Sequence, residues 1–163
     1  MLELDLEISK AFATEAYKGA TRRDGSSMYE HAIRLSNQFA RIGSADVAAV
    51  ALLHDVLPCT ELTAKDMIDA CIVKPVLELL IAYQRKVEES VIDYYHRLSG
   101  DAILRYIKTA DIVEDLLCDP TEEEYIEWQY GMMLLNKMPV RLFRNDKVYD
   151  YLEIPEEQRN ADG

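Results

Sequence analysis

The sequence is short of several things, and each shortage excludes something. It has three cysteines, Cys59, Cys71 and Cys118, which are odd in number, scattered and without CxxC spacing. That excludes a disulfide framework, and the thiols read as reduced, as expected of a cytoplasmic protein. No apolar run reaches the roughly 18 to 20 residues that a membrane-spanning helix needs, so no membrane partner is expected. The opening stretch MLELDLEISK is acidic and amphipathic, unlike a secretory signal or a transit peptide. Positive charge is also scarce: 18 Lys and Arg stand against 30 Asp and Glu, a formal net charge of −12. A surface this acidic repels a phosphate backbone, so nucleic acid is not an expected partner. A small phosphorylated ligand stays allowed where a metal ion or a local basic cluster reverses the field. Lys18, Arg22 and Arg23 form one such cluster in sequence. Repeats, linkers and low-complexity tracts are absent from the sequence, and self-association is left open.

What is there is mostly helical. With 163 residues and 49% hydrophobic content, the chain is long enough to close one core without staples. Leu4, Ile8, Ala11, Phe12 and Ala16 fall at helical spacing and predict a first helix ending near Gly19. The Gly/Ser loop GATRRDGSS follows. A second helix is expected from Tyr29 to Ile42, with Ala32, Leu35, Phe39 and Ile42 inward. Ser44 caps a third, and ADVAAVALLHDV is apolar nearly all round, which is the composition of a buried central helix. Thr63 with Asp66 opens a short fourth helix. Pro75 suits the first turn of a fifth, PVLELLIAYQRK. Further helices are expected over Ser90–Leu98 and Asp101–Leu117. Thr121 with Glu124 makes a capping box for the last long one, which carries Tyr125, Trp128 and Met132. The expectation is an all-α, single-domain helical bundle over residues 1–138, with a partly irregular extension over 139–163.

Few residues can carry chemistry. His54 and Asp55 end the apolar run VAAVALL, and His31 lies one turn before Leu35 at the edge of the second helix's stripe. Asp111 follows Leu104 and Ile107 at i+7 and i+4, so its carboxylate faces the core. A buried carboxylate is costly unless it is paired or bound to a metal. These residues read either as a hydrogen-bonded core His-Asp pair or as ligands of a divalent ion. Imidazole and carboxylate without thiolate suit Mn²⁺, with Fe²⁺ or Zn²⁺ as the other candidates. His96, in the Tyr-rich segment DYYHRL, has no second ligand near it in sequence and reads as structural.

Three segments carry a resemblance. AYKGATRRDGSSMYEH resembles A-H-x-G-Q-x-R-x-x-G-x-P-Y-x-x-H, the opening pattern of the alarmone-hydrolase branch of the HD-domain family. ALLHDVLPCTELTAKDM is similar to that family's A-L-L-H-D-x-x-E-D-T-x-x-T-x-x-D-[IL]. YIKTADIVEDL resembles its V-K-L-A-D-x-x-x-N. The segments occur in the family's order, and together with the intervening helices the resemblance covers Ala11 to Met138. The resemblance implies an HD-type bundle and a metal-dependent phosphohydrolase acting on a nucleotide-like phosphate or pyrophosphate. It implies His31, His54, Asp55 and Asp111 as metal ligands, with Mn²⁺ as the expected ion. It matches Arg22 to the arginine that stacks on the purine base and Lys108 to a lysine beside the last ligand. Lys18, in the basic loop, is a further expected substrate contact. A synthetase domain of the RelA/SpoT type has no room in this chain.

The departures from the pattern are equally specific. The family's Glu-Asp pair, which positions and activates water, corresponds to Pro58 and Cys59. Neither accepts a proton as a carboxylate does, and proline has no N–H to donate. The early histidine is Tyr17, the glutamine is Ala20, the Pro-Tyr pair is Ser27-Met28, and the nucleotide-contacting asparagine is Asp115. Glu61, Glu114 and Asp115 are the nearest acids that could substitute, with Glu61 the first candidate. The expected activity is therefore altered or weakened. The alternative is a degenerate HD protein that binds metal or nucleotide and regulates a partner.

Overall fold

The computed structural model of the chain describes residues 2–42 and 44–137. The expected extension over 139–163 lies outside the described residues. Those residues form nine helices, and their only extended pairing is an isolated bridge between Thr21 and Ser27. This is the all-α architecture that the periodicity predicts. No helix among the described residues is long and apolar enough to cross a membrane. The chain divides into two compact units, Met1–Gln84 and Arg85–Gly163.

The first unit contains α1 (Leu2–Ala16), α2 (Met28–Arg41), α3 (Ala45–Leu53), α4 (Val56–Cys59), α5 (Ala64–Asp69) and α6 (Lys74–Tyr83). α3 is its centre and packs on α1, α2 and α6. Every residue from Ala48 to Leu53 is buried, which is why this helix can be apolar on all sides. Ala48, Ala49 and Ala51 are small enough to let the surrounding helices approach closely. Ser44 starts α3 as expected, its hydroxyl accepting the Val47 N–H.

Several details differ from the sequence pattern. In α1 the buried line is Ser9, Ala13 and, just past the helix, Tyr17, whereas Leu4 is 63% exposed. The buried face carries small residues, which a hydrophobicity stripe does not register. Ser9 is accommodated because its hydroxyl donates to the Asp5 carbonyl at 2.9 Å. α2 starts at Met28 on a Ser27 cap and ends at Arg41, so Ile42 is a capping residue and 75% exposed rather than inward. α4 is an additional turn of helix. Pro58 sits within its first turn, where no intrahelical N–H is required. α5 begins with the expected Thr63–Asp66 capping box. α6 stops at Tyr83 instead of running on to Lys86, because Gln84 is extended (φ −67°, ψ 140°).

The second unit contains α7 (Val91–Ser99), α8 (Ala102–Leu116) and α9 (Glu122–Leu135), each packed on the other two. The Thr121–Glu124 box caps α9 as the sequence predicts, while Ser90 and Asp101, read there as first helical residues, are the caps of α7 and α8. α7 and α9 approach closely at Gly131, where an added Cβ would collide with the Tyr95 ring. Glu89, ahead of α7, is tied to that helix by a two-pronged ion pair with Arg97 (2.6 and 2.8 Å). The guanidinium beside Glu89 holds its carboxyl down at about 2.

Candidate metal centre

A helix ends with carbonyls that have no intrahelical partner, and in α3 these carbonyls build the setting of His54. Asp55 starts a new turn, so the helix breaks at the His54–Asp55 step. The Ala51 carbonyl accepts from His54 Nδ1 at 2.7 Å. The Leu52 carbonyl accepts from the Tyr17 hydroxyl at 3.1 Å. The His54 carbonyl accepts from Gln84 Nε2 at 3.4 Å, and the same amide nitrogen reaches the Leu80 carbonyl at 3.3 Å. Beyond the break, the Asp55 carbonyl accepts from the Cys59 N–H at 3.0 Å.

The first of these bonds decides the tautomer of His54. A carbonyl only accepts, so Nδ1 carries the hydrogen. Nε2 then lies 3.2 Å from Asp55 Oδ2. Two electron-pair donors are held side by side, an arrangement that a shared proton or a cation reconciles. His31, in the first turn of α2, is as buried as His54. Their ring centroids are 5.5 Å apart with an edge-on geometry. The Tyr83 ring packs edge-on against His54 at 5.7 Å.

In the second unit, α8 buries Leu104, Ile107 and Asp111 on one face, as their spacing predicts. Asp111 Oδ2 accepts from Lys108 Nζ at 2.8 Å. A buried carboxylate with no compensation costs several kcal/mol, and the ammonium offsets that cost. Burial raises the Tyr94 phenol above its usual range. The Lys108 charge opposes this and the Asp111 charge adds to it.

His31 and His54, in the first unit, each offer a buried nitrogen to a metal ion, and Asp111 is a buried carboxylate donor of the second. Asp55, the fourth expected ligand, is half-buried and stands beside His54 Nε2. The donor set fits a divalent ion of borderline or hard character: imidazole nitrogen and carboxylate oxygen, with no thiolate. The Nδ1–H bond of His54 adds the backbone support that metal-bound imidazoles require.

The expected substrate contacts are more scattered. Lys18 is exposed and pairs with Glu15 at 3.6 Å. Arg22 and Arg23 lie on a hairpin closed by the Arg22 N–H to the Ser26 carbonyl (2.8 Å) and the Gly25 N–H to the Arg22 carbonyl (3.0 Å). Gly25, at φ +82°, supplies the left-handed residue that such a turn requires. Arg22 is half-buried there and Arg23 exposed. Pro58, Cys59 and Glu61 are all exposed, while Glu114 and Asp115 on α8 are half-buried. His96 is exposed in the last turn of α7. Sequence reasoning misses Tyr83 and Gln84 as neighbours of His54, since both lie within what reads as one uninterrupted helix. No protein-family model matches the chain, and no curated protein matches it.

Proposed function

We propose that this chain is a metal-dependent phosphohydrolase of the HD type, acting on a nucleotide-like phosphate or pyrophosphate. The observation that carries the proposal is the buried pair of His31 and His54, with His54 held as its Nδ1–H tautomer, and Asp111 is the proposed third ligand. Mn²⁺ is the proposed ion, and Asp55 is the proposed fourth ligand. A divalent ion bound to these donors supplies Lewis acidity toward a phosphoryl group and lowers the pKa of water. The protein's own residues orient the imidazoles, exclude bulk water from them and keep Asp111 beside the Lys108 ammonium. Arg22, Lys18 and Lys108 are the proposed phosphate and base contacts. In so acidic a chain they supply the local positive charge that an anionic substrate needs.

Pro58 and Cys59 support a reduced rate. Loss of general acid–base assistance is worth about 10²–10⁴ in rate, roughly 3 to 5 kcal/mol of barrier. The same two residues favour the second reading, a protein that binds metal and nucleotide without turning the nucleotide over and acts on a partner. A screen of nucleotides and guanosine alarmones with Mn²⁺, run beside His54→Ala, separates the two. Turnover by the native protein and none by His54→Ala supports the enzyme. Nucleotide binding with turnover no greater than that of His54→Ala overturns the enzyme and leaves the regulator. In the folded, metal-loaded double variant Pro58→Glu/Cys59→Asp, alarmone hydrolysis is expected to rise. No rise would mean that the alarmone contacts are lost as well.

A further inference from the structure

The geometry around the α3 break points to Tyr17 and Gln84 as positioning residues for the metal ligand His54. We infer that these two side chains, neither of them a ligand, hold the break in the one conformation that aims Nε2. The inference rests on the metal-site reading above and concerns residues which that reading does not assign.

His54 has two attachments that matter. Its ring is fixed by Nδ1–H to the Ala51 carbonyl, and that carbonyl belongs to the last turn of α3. Its backbone belongs to the break itself. The ring direction is therefore only as well defined as the last turn of α3 is relative to the residue that follows it. Two side chains from other parts of the unit grip those two pieces. The Tyr17 hydroxyl, arriving from the end of α1, donates to the Leu52 carbonyl on the helix side. The Gln84 amide, arriving from the end of α6, donates to the His54 carbonyl on the break side.

Gln84 is anchored in turn. Its NH₂ group has two hydrogens, and the second acceptor is the Leu80 carbonyl in the last turn of α6. Turning the amide over would set its oxygen against two carbonyl oxygens, so only one orientation satisfies the site. This explains why α6 must stop at Tyr83. A helical Gln84 would carry its side chain round the helix, whereas the extended residue sends it back along the helix end. The same stop leaves the buried Tyr83 ring against the edge of His54. Tyr17 is 1% exposed and lies outside the helix whose buried line it continues. Its ring packs in the core, and its hydroxyl is the part available for positioning.

Outer residues of this kind change metal affinity by about 10- to 100-fold. The test is Mn²⁺ titration of the native chain, Tyr17→Phe and Gln84→Met, with folding checked by far-UV circular dichroism. Tyr17→Phe removes one oxygen and keeps the ring. Gln84→Met keeps the length of the side chain and removes both donors. The expected result is a fall in Mn²⁺ affinity of at least about 10-fold in each folded variant. The rise in melting temperature on adding Mn²⁺ should shrink in parallel. A merely structural role would lower the melting temperature equally with and without the ion and leave affinity unchanged. That result, in either folded variant, removes that residue from the inference, and in both it overturns the inference while the metal site stands. A native chain that binds no Mn²⁺ overturns the functional reading and the inference together. Nitrogen chemical shifts of the His54 ring give a readout without metal: Nδ1 should carry hydrogen throughout the native population, and a native ring with Nδ1 partly bare would overturn the inference.

Discussion

The two units bury polar groups by different means. In the first, His54 lies at a helix end, where its ring and the carbonyls around it are held by single hydrogen bonds and the Asp55 carboxylate stands beside Nε2. In the second, Asp111 lies in the middle of a continuous helix and is compensated by a charge three residues away. Glu89 and Arg97 repeat that solution beside α7. A helix end can satisfy a neutral imidazole with carbonyls it has to satisfy anyway, whereas a carboxylate in mid-helix needs a cation. The apolar centre of α3 should therefore answer mainly to packing, and the ion pair beside α7 also to pH and ionic strength.

The chain's single tryptophan, Trp128, is on α9, so its fluorescence reports on the second unit, while circular dichroism reports on all helices. The largest effect is expected from Leu52→Ala in the fully buried centre of α3. It should cost about 3 kcal/mol, within the usual range for emptying a core leucine site, and the loss measured by urea denaturation should be the same at pH 5 and pH 8. Next comes Gly131→Ala, which drives a methyl group into the buried Tyr95 ring and should cost about 2 kcal/mol. The Trp128 transition should shift to lower urea. An unchanged transition would mean that the ring has room to move, and that the second unit is held less tightly than the first.

Glu89→Gln tests the ionic half of the comparison. Because the folded carboxyl sits near 2, below its ordinary 4.5, its stabilisation is fully present above about 4.5 and is lost as pH falls from there toward 2. The native Trp128 transition should weaken across that window, and Glu89→Gln should flatten the dependence at the cost of about 1 kcal/mol at neutral pH. An equally steep acid dependence in the variant would assign it to other carboxylates. The smallest effect should be that of Ser44→Ala, about 0.5 kcal/mol for one lost cap, measured on the circular dichroism transition.

Much of this architecture is legible in the sequence, for reasons that can be named. Caps such as Ser44, the Thr63–Asp66 pair and the Thr121–Glu124 pair are local chemistry, and so they mark helix starts well. The burial of Asp111 follows from its spacing to Leu104 and Ile107. Failures occur where tertiary contacts choose between alternatives that local pattern leaves equal. Ser9 and Ala13 are core positions because a helix packs closely there, and nothing about their polarity says so. Tyr83 and Gln84 continue an apolar helical pattern, and the helix ends only because the Gln84 side chain finds the His54 and Leu80 carbonyls. The candidate metal centre divides in the same way: its histidines and aspartates are visible as residue types in place, and the hydrogen bonds that orient them are visible only in the fold.

Pro58 and Cys59 take on a different meaning once α4 is drawn. They occupy an exposed turn in which neither side chain is part of the core, and the proline asks nothing of its neighbours beyond a backbone angle that the first turn of a helix already has. The turn is therefore a replaceable cassette: side chains can be exchanged there without rebuilding the scaffold that holds His54. For a protein engineer, this is the place to graft different acids, bases or thiols beside a ready-made imidazole.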